Sequence, residues 1–196
     1  MIGIIHYGAG NIFSLTAALD RLKLNYGMVH VGEQLDTYSH IIIPGVGHAG
    51  AAMKKLEATG LTDAIKALKQ PVLGICVGMQ LLTRHSEEGD ANLLHIADVD
   101  TLHFTNRIDH KVPHMGWNRV STLKDSKLFN GIEQDAYFYF VHSYFIEYNP
   151  TFTLAYTQYG ITYSSAIQVD NFYGVQFHPE KSGKAGEQLL KNFCTI

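Results

Sequence analysis

The sequence predicts an α/β fold: a mostly parallel central sheet flanked by helices, with an antiparallel β addition in the second half. Two observations predict it. In the first half, short β-branched runs alternate with segments whose apolar residues recur at helical spacing, the pattern of strands joined by crossover helices. In the second half the apolar segments are aromatic and β-branched and follow one another without a clear helix, as antiparallel strands do.

Residues 1–6 are apolar and β-branched and read as the first strand, broken by Gly8-Ala9-Gly10-Asn11. From 12 to 24, Leu15, Ala18, Leu19 and Leu22 keep helical spacing, with Asn11 as the N-cap. Residues 26–31 read as a second strand, and Ile41-Ile42-Ile43 as a short buried one stopped by Pro44-Gly45. Residues 51–58 and 62–69 read as helices split by Gly60. Pro71 opens a strand at 72–75, and 78–85 looks helical, with Met79, Leu81 and Leu82 supplying apolar surface. The stretch 92–120 holds strand-like pieces and turns. Residues 136–141, 152–159, 165–169 and 172–177 suggest antiparallel strands, and 186–193 closes the chain as a helix. With no linker, repeat or low-complexity tract, one domain over residues 1–196 is expected.

Composition narrows the function. A net charge of -3 without a long run of one sign argues against a phosphate-tracking surface, so no nucleic-acid partner is expected. No apolar stretch is long enough to cross a bilayer, and Met1 runs straight into a strand-like segment, so neither membrane nor secretory leader is expected. Two distant thiols, Cys76 and Cys194, make no disulfide framework; a reducing cytoplasm follows, where free cysteine chemistry is open.

The most informative segment is Gly74-Ile75-Cys76-Val77-Gly78, fed by an apolar strand and followed by a helical pattern. This is the cysteine form of a nucleophile elbow. A nucleophile on a sharp strand-to-helix turn is pushed clear of the sheet. Glycines two residues to either side remove Cβ atoms that would collide there. A helix N-terminus favours negative charge on sulfur, and the Val77 N–H is a candidate oxyanion donor. A buried structural cysteine is the plain alternative; Cys194, inside the apolar pattern of the last helix, reads that way.

A cysteine nucleophile needs a base and a group to orient it. Of eleven histidines, His178 stands out: it ends the strand Tyr173-Gly174-Val175-Gln176-Phe177 and precedes Pro179-Glu180. Pro179 biases His178 toward an extended backbone, in which His178 and Glu180, two apart, share a side. The carboxylate would then fix the imidazole tautomer. No Cys or His cluster has metal-ligand spacing, so neither metal nor cofactor is expected. Pro44-Gly45-Val46-Gly47 ends a buried strand in a loop able to bring backbone N–H groups close to an anion and so to give a second oxyanion donor, though taken alone the loop reads better as an ordinary strand-to-helix turn.

Together these segments resemble the class I, triad-type glutamine amidotransferases, in which a cysteine elbow is paired with a distant His-x-Glu, here His178-Pro179-Glu180. Tyr7-Gly8-Ala9-Gly10-Asn11, Pro113-His114-Met115-Gly116-Trp117-Asn118 and Phe140-Val141-His142-Ser143-Tyr144 narrow the resemblance to the branch that supplies ammonia to a (βα)8-barrel cyclase subunit in histidine biosynthesis. The resemblance implies a flavodoxin-like sheet, glutamine as substrate and a heterodimer with the cyclase. It implies Cys76, His178 and Glu180 as catalytic and Val46 and Val77 as oxyanion donors. Gly45, Gly47, Gln80, Ser143 and Tyr144 would hold glutamine; Asn11, Pro113, Met115, Trp117, Tyr139 and Lys181 would meet the partner. The chain departs from that branch at His6, where Asp is usual, and across 92–104, which lacks a glycine-rich form. Three other readings stay open: a glutaminase serving another synthase, a cysteine hydrolase of the DJ-1/PfpI type, and a non-enzymatic binding module that kept the fold and lost the activity.

Overall fold

A computed structural model of the chain describes residues 1–196, apart from the side chain of Glu33. Five parallel strands form the heart of the sheet: β1 (Ile2–Ile5), β2 (Tyr26–Val29), β3 (His40–Gly45), β4 (Val72–Cys76) and, from the far end of the chain, β13 (Phe172–Val175). Their order is β2-β1-β3-β4-β13. Every residue of β1, β4 and β13 is buried, the reason these segments read as unbroken apolar runs rather than as alternations. The helices α1 (Ile12–Arg21), α2 (Ala49–Ala58) and α3 (Thr62–Lys66) connect the first strands, and α5 (Gly183–Phe193) ends the chain. Asn11 caps α1 as expected, its side chain accepting from Ser14 N at 3.2 Å.

The second half adds β5 (Thr83–Ser86), β6 (Ala91–Asn92), β7 (Ala97–His103), β8 (His114–Thr122), β9 (Ala136–His142), β10 (Tyr144–Glu147), β11 (Thr153–Tyr159) and β12 (Ile161–Val169). Strand β13 is the seam: it runs parallel to β4 and antiparallel to β12. Beyond it the sheet continues β12-β10-β7-β5-β6, while β11 leads from β12 to the β8–β9 hairpin. Among the described residues, no helix is long and apolar enough to cross a membrane.

Four expectations need correction. The segment 172–177, expected among the antiparallel strands, supplies β13, which lies parallel to β4 inside the sheet and is antiparallel only to β12. The helix at 78–85 is one turn only, α4 (Val77–Gln80). The carbonyls of Leu81 and Leu82 are taken by the N–H groups of Leu94, Ile96 and Ala97, and Thr83 Oγ1 donates to Gln80 O, so the chain leaves the helix and enters β5. Leu81 and Leu82 are still core, but from a turn. Pro44-Gly45 does not stop β3; the strand continues through both residues, which pair with Ile75 and Cys76. Residues 62–69 are helical only to Lys66. The divergent stretch 92–104 contains β7, paired between β10 and β5.

Candidate active site

Strands β3 and β4 set the site. Cys76 is the last residue of β4 and has φ 55° and ψ −112°, a left-handed backbone that costs an L-residue about 1–3 kcal/mol. The strain is held by backbone packed directly on backbone. A Cβ on Gly78 would lie 1.8 Å from Ile43 O, one on Gly74 2.4 Å from Gly78 O, and one on Gly45 2.5 Å from Gly78 N. The glycine spacing seen in the sequence is therefore a requirement of close approach. Because α4 has a single turn, its dipole is small, and help for a thiolate must come from neighbouring groups rather than from a long helix.

Strand β13 lies beside β4, so the chain leaving it brings His178 to the same sheet edge as Cys76. The carboxyl ends of parallel strands are where α/β sheets usually bind ligands. His178 is fixed by its backbone: its N–H donates to Tyr139 O at 2.9 Å and its carbonyl accepts from Ser182 Oγ at 2.6 Å. Its Nδ1 lies 2.7 Å from Glu180 Oε1, and both side chains are only 3% exposed. The expected extended backbone holds for His178 alone; residues Pro179–Lys181 form a 3-10 turn, and the pair meets across that turn rather than along a strand. Burial opposes charge on His178, but Cys76 and Glu180 outweigh it, and the imidazole is pushed up to about 10. Bound through Nδ1 to Glu180, the ring keeps Nε2 free of other protein partners, with negative charge on the Cys76 sulfur the other influence that favours its proton.

Cys76 and His178 share a cavity of about 340 Å3, near the lower end of small-ligand sites. Of the residues assigned to oxyanion and glutamine, Val46, Val77, Gly47, Gln80, Ser143 and Tyr144 all line it. Gly45 does not: it is packed under α4, and its place is to let β3 and the elbow touch. Gly47 has φ 86°, so the loop turn demands glycine there. Tyr7 OH donates to Pro44 O at 2.7 Å and pins the same loop from below.

Some of the cavity was silent in the sequence. Glu88 lines it, its Oε2 accepting from Ala49 N at 2.5 Å; it comes from a polar run that carries no signal. Gln176 is fully buried and directs Nε2 at Cys76 Sγ, 3.7 Å away, while its Oε1 accepts from Gln80 Nε2 at 3.1 Å. His142 lines the cavity too; a signal existed, because strict alternation along β9 puts it on the buried face with Phe138 and Phe140.

Among the residues assigned to a partner, Met115 and Trp117 are 63% and 55% exposed on β8. Trp117 faces Tyr139 across the hairpin, ring to ring at 6.1 Å, and Lys181 Nζ stands 5.8 Å from the Tyr139 ring. Tyr137 extends this exposed aromatic face. Asn11 sits at the start of α1, and Pro113 lies on the wall of the cavity.

Residues 4–196 match the family described as glutamine amidotransferase class-I. A protein of Bacteroides thetaiotaomicron named imidazole glycerol phosphate synthase subunit HisH is 48% identical over 196 residues, covering 100% of this chain and 99% of its own. The chain belongs to the class I glutamine amidotransferases, in their HisH branch. Its HisH relatives include proteins of Pasteurella multocida, 47% identical over 98% of this chain and 96% of theirs, and of Salmonella typhimurium, 48% identical over 98% of each. The fold agrees: a solved glutamine amidotransferase superposes with TM-score 0.76 at 16% identity, covering 99% of this chain and 97% of that one. PurLQS from Thermotoga maritima superposes with TM-score 0.75 at 16% identity and the same coverage.

Proposed function

We propose that this chain is the glutaminase subunit of an imidazole glycerol phosphate synthase, its residues 1–196 acting as one domain in the cytoplasm. It hydrolyses glutamine to glutamate and ammonia. The ammonia passes to a HisF-type cyclase subunit, which converts a phosphoribulosyl formimino intermediate into imidazole glycerol phosphate and an aminoimidazole carboxamide ribotide. The observation that carries the chemistry is Cys76 on a strained turn, sharing one cavity with a histidine that Glu180 holds at 2.7 Å.

Each group then has a role. The Cys76 thiolate attacks the side-chain amide carbon of glutamine, forming a C–S bond and placing negative charge on the carbonyl oxygen. The N–H groups of Val77 and of Val46 in the 44–47 loop receive that charge; a single such donor is worth about 3–4 kcal/mol in the transition state. His178, charged at neutral pH because of Cys76 and Glu180, gives its Nε2 proton to the leaving nitrogen, and ammonia departs. Neutral His178 then takes a proton from water, the hydroxide attacks the thioester, and glutamate leaves with the thiolate restored. Glu88, a carboxylate on the cavity wall, suits the substrate ammonium, and Gln80 offers a carbonyl oxygen with no protein partner.

The surface of exposed Met115, Trp117 and Tyr137 with half-buried Tyr139, and Lys181 at its edge, suits a partner offering apolar contacts and a carboxylate. It is one hydrogen bond from the catalytic base, through Tyr139 O to His178 N. Partner binding is therefore expected to raise turnover. The test is release of glutamate by the chain alone, with the cyclase subunit, and with the cyclase subunit plus its nucleotide ligand. Glutamate release that climbs at each step is expected. Failure to turn over glutamine even with both additions rejects the assignment; equal rates in all three reject the gating.

A further inference from the structure

Behind the cavity wall lies a buried polar cluster that the reaction as written does not use. His114 on β8, His142 on β9 and Tyr163 on β12 are 3%, 6% and 0% exposed. They sit in an aromatic box. The His114 ring is stacked between Tyr159, at 4.0 Å, and Phe140, at 4.8 Å. Phe104 packs on both His142 and Tyr163. With apolar rings on their faces, these side chains can satisfy their polar atoms only along their edges, through one another.

The hydrogen positions follow from what each partner can do. Tyr144 O, 2.7 Å from His142 Nδ1, is a carbonyl and can only accept, so Nδ1 carries the proton. Burial first, then the neighbouring His114, push His142 down to about 3; burial alone pushes His114 down to about 4. Both rings are therefore neutral, and His142 Nε2 is an acceptor. Two donors reach it: His114 Nδ1 at 3.1 Å and Tyr163 OH at 3.2 Å. Tyr163 OH is also 3.2 Å from His114 Nδ1. With Nδ1 protonated, His114 Nε2 accepts from Asn118 Nδ2 at 3.3 Å. All bonds then run one way, from Asn118 through His114 and Tyr163 to His142 and out to Tyr144 O. No buried nitrogen of either ring is left unpaired, and neither ring has a spare proton to turn to another partner.

The far end of this run is the part of the cavity wall formed by Ser143 and Tyr144. The carbonyl that His142 holds also accepts from Gln80 Nε2 at 3.3 Å, and Gln80 reaches Gln176, which contacts the nucleophile. One carbonyl thus links the wall at 143–144 to Gln80. We propose that His142, locked by His114 and Tyr163, is a positioning residue for glutamine binding: its Nδ1–H fixes the Tyr144 carbonyl and thereby the 143–144 wall and the Gln80 amide. The proposal rests on the glutaminase reading and adds a residue that acts through the binding wall without donating to the reacting atoms.

The test separates the hydrogen bond from the bulk of the ring. The full-length chain and its variants are treated with iodoacetamide, with glutamine added at increasing concentration, and alkylation of Cys76 is followed. The rate without glutamine reads the thiolate; the concentration giving half protection reads binding. His142→Leu removes the donor, and His142→Asn keeps an N–H near the position of Nδ1. A lost hydrogen bond of about 1–1.5 kcal/mol corresponds to a rise of about 5- to 12-fold in half-protection for the Leu variant, with KM for glutamine rising in step and by more than kcat falls. The Asn variant is expected within about 3-fold of the parent, since its N–H restores the bond. Tyr163→Phe, which removes one hydroxyl and keeps the ring, is expected to raise half-protection by at least about 3-fold; it serves if the Leu variant fails to fold. Equal shifts for Leu and Asn, or no shift for folded Tyr163→Phe, overturn the proposal. A parent chain that neither turns over glutamine nor is protected by it overturns the glutaminase reading itself, a result distinct from either.

Discussion

Gly78→Ala is the sharpest test of how the nucleophile is built. The added methyl carbon would lie 1.8 Å from Ile43 O and 2.8 Å from Ile43 C, where ordinary contact begins at 3.4 Å. Both sides of the collision are backbone, so no rotamer change relieves it. The turn carrying Cys76 must move from β3 by about 1.5 Å, less whatever the strand yields. Two costs follow. Overpacking of this kind lowers stability by about 1–3 kcal/mol. Displacing a reacting atom by about 1 Å costs about 100-fold in rate, because attack needs contact near 3–3.5 Å in the right direction. The assay is kcat/KM for glutamate release, measured well below the variant's own unfolding transition, beside the rate of Cys76 alkylation and the urea midpoint. A variant that folds but loses about two orders of magnitude is the expected result. Activity within about 3-fold of the parent would show that the elbow tolerates the shift, and the argument from close approach would fail.

Other perturbations separate the remaining parts. Cys76→Ala is expected to abolish glutamine hydrolysis while leaving the cyclase complex able to use added ammonium; glutamine-dependent synthesis by that complex would remove Cys76 as the nucleophile. Glu180→Gln takes away a charge-assisted bond of about 1.5–3 kcal/mol and is expected to cut kcat by at least about 10-fold. His178 is raised from 6.5 to about 10, so its contribution to stability is full below 6.5 and is lost as pH rises through about 10. In the Gln variant that alkaline loss should move to lower pH, read from urea midpoints across the range. An unchanged profile would place the raised histidine elsewhere. Trp117→Ala should weaken cyclase binding by about 2 kcal/mol, near 30-fold in Kd, without altering Cys76 alkylation of the free chain; unchanged affinity would take the partner face away from β8.

Most of what the sequence revealed was local and strongly patterned. The buried parallel strands were legible because burial on both faces leaves an uninterrupted apolar run. The elbow was legible because close backbone approach demands glycine at fixed distances from Cys76. What stayed hidden depended on contacts far along the chain. Nothing local at Leu81 or Leu82 says that residues 94–97 will claim their carbonyls, so apolar spacing there read as helix. Glu88 lines the cavity because β5 and its following turn carry it there. Gln176 was visible only as a residue of a strand, until pairing of β13 with β4 set it against the sulfur. His142 had a readable sign, a histidine on the apolar face of an alternating strand, but its partners come from β8 and β12.

The elbow also divides its work in a way that composition hides. Glycine is usually invoked for unusual dihedral angles, yet Gly45, Gly74 and Gly78 are absent from the positive-φ glycines, while Cys76 between them has φ 55°. The glycines give up side chains so that β3, β4 and α4 can touch backbone to backbone, and the strained conformation falls on the residue that does the chemistry. A strain of about 1–3 kcal/mol persists only where the surroundings over-determine it, and three backbone contacts below ordinary Cβ distance are what over-determine it here. The consequence is directional. Relaxing the contacts would let residue 76 return to an ordinary backbone and carry its sulfur off the line to His178. Activity is therefore more sensitive to the space at Gly74 and Gly78 than to the conformational freedom glycine would bring.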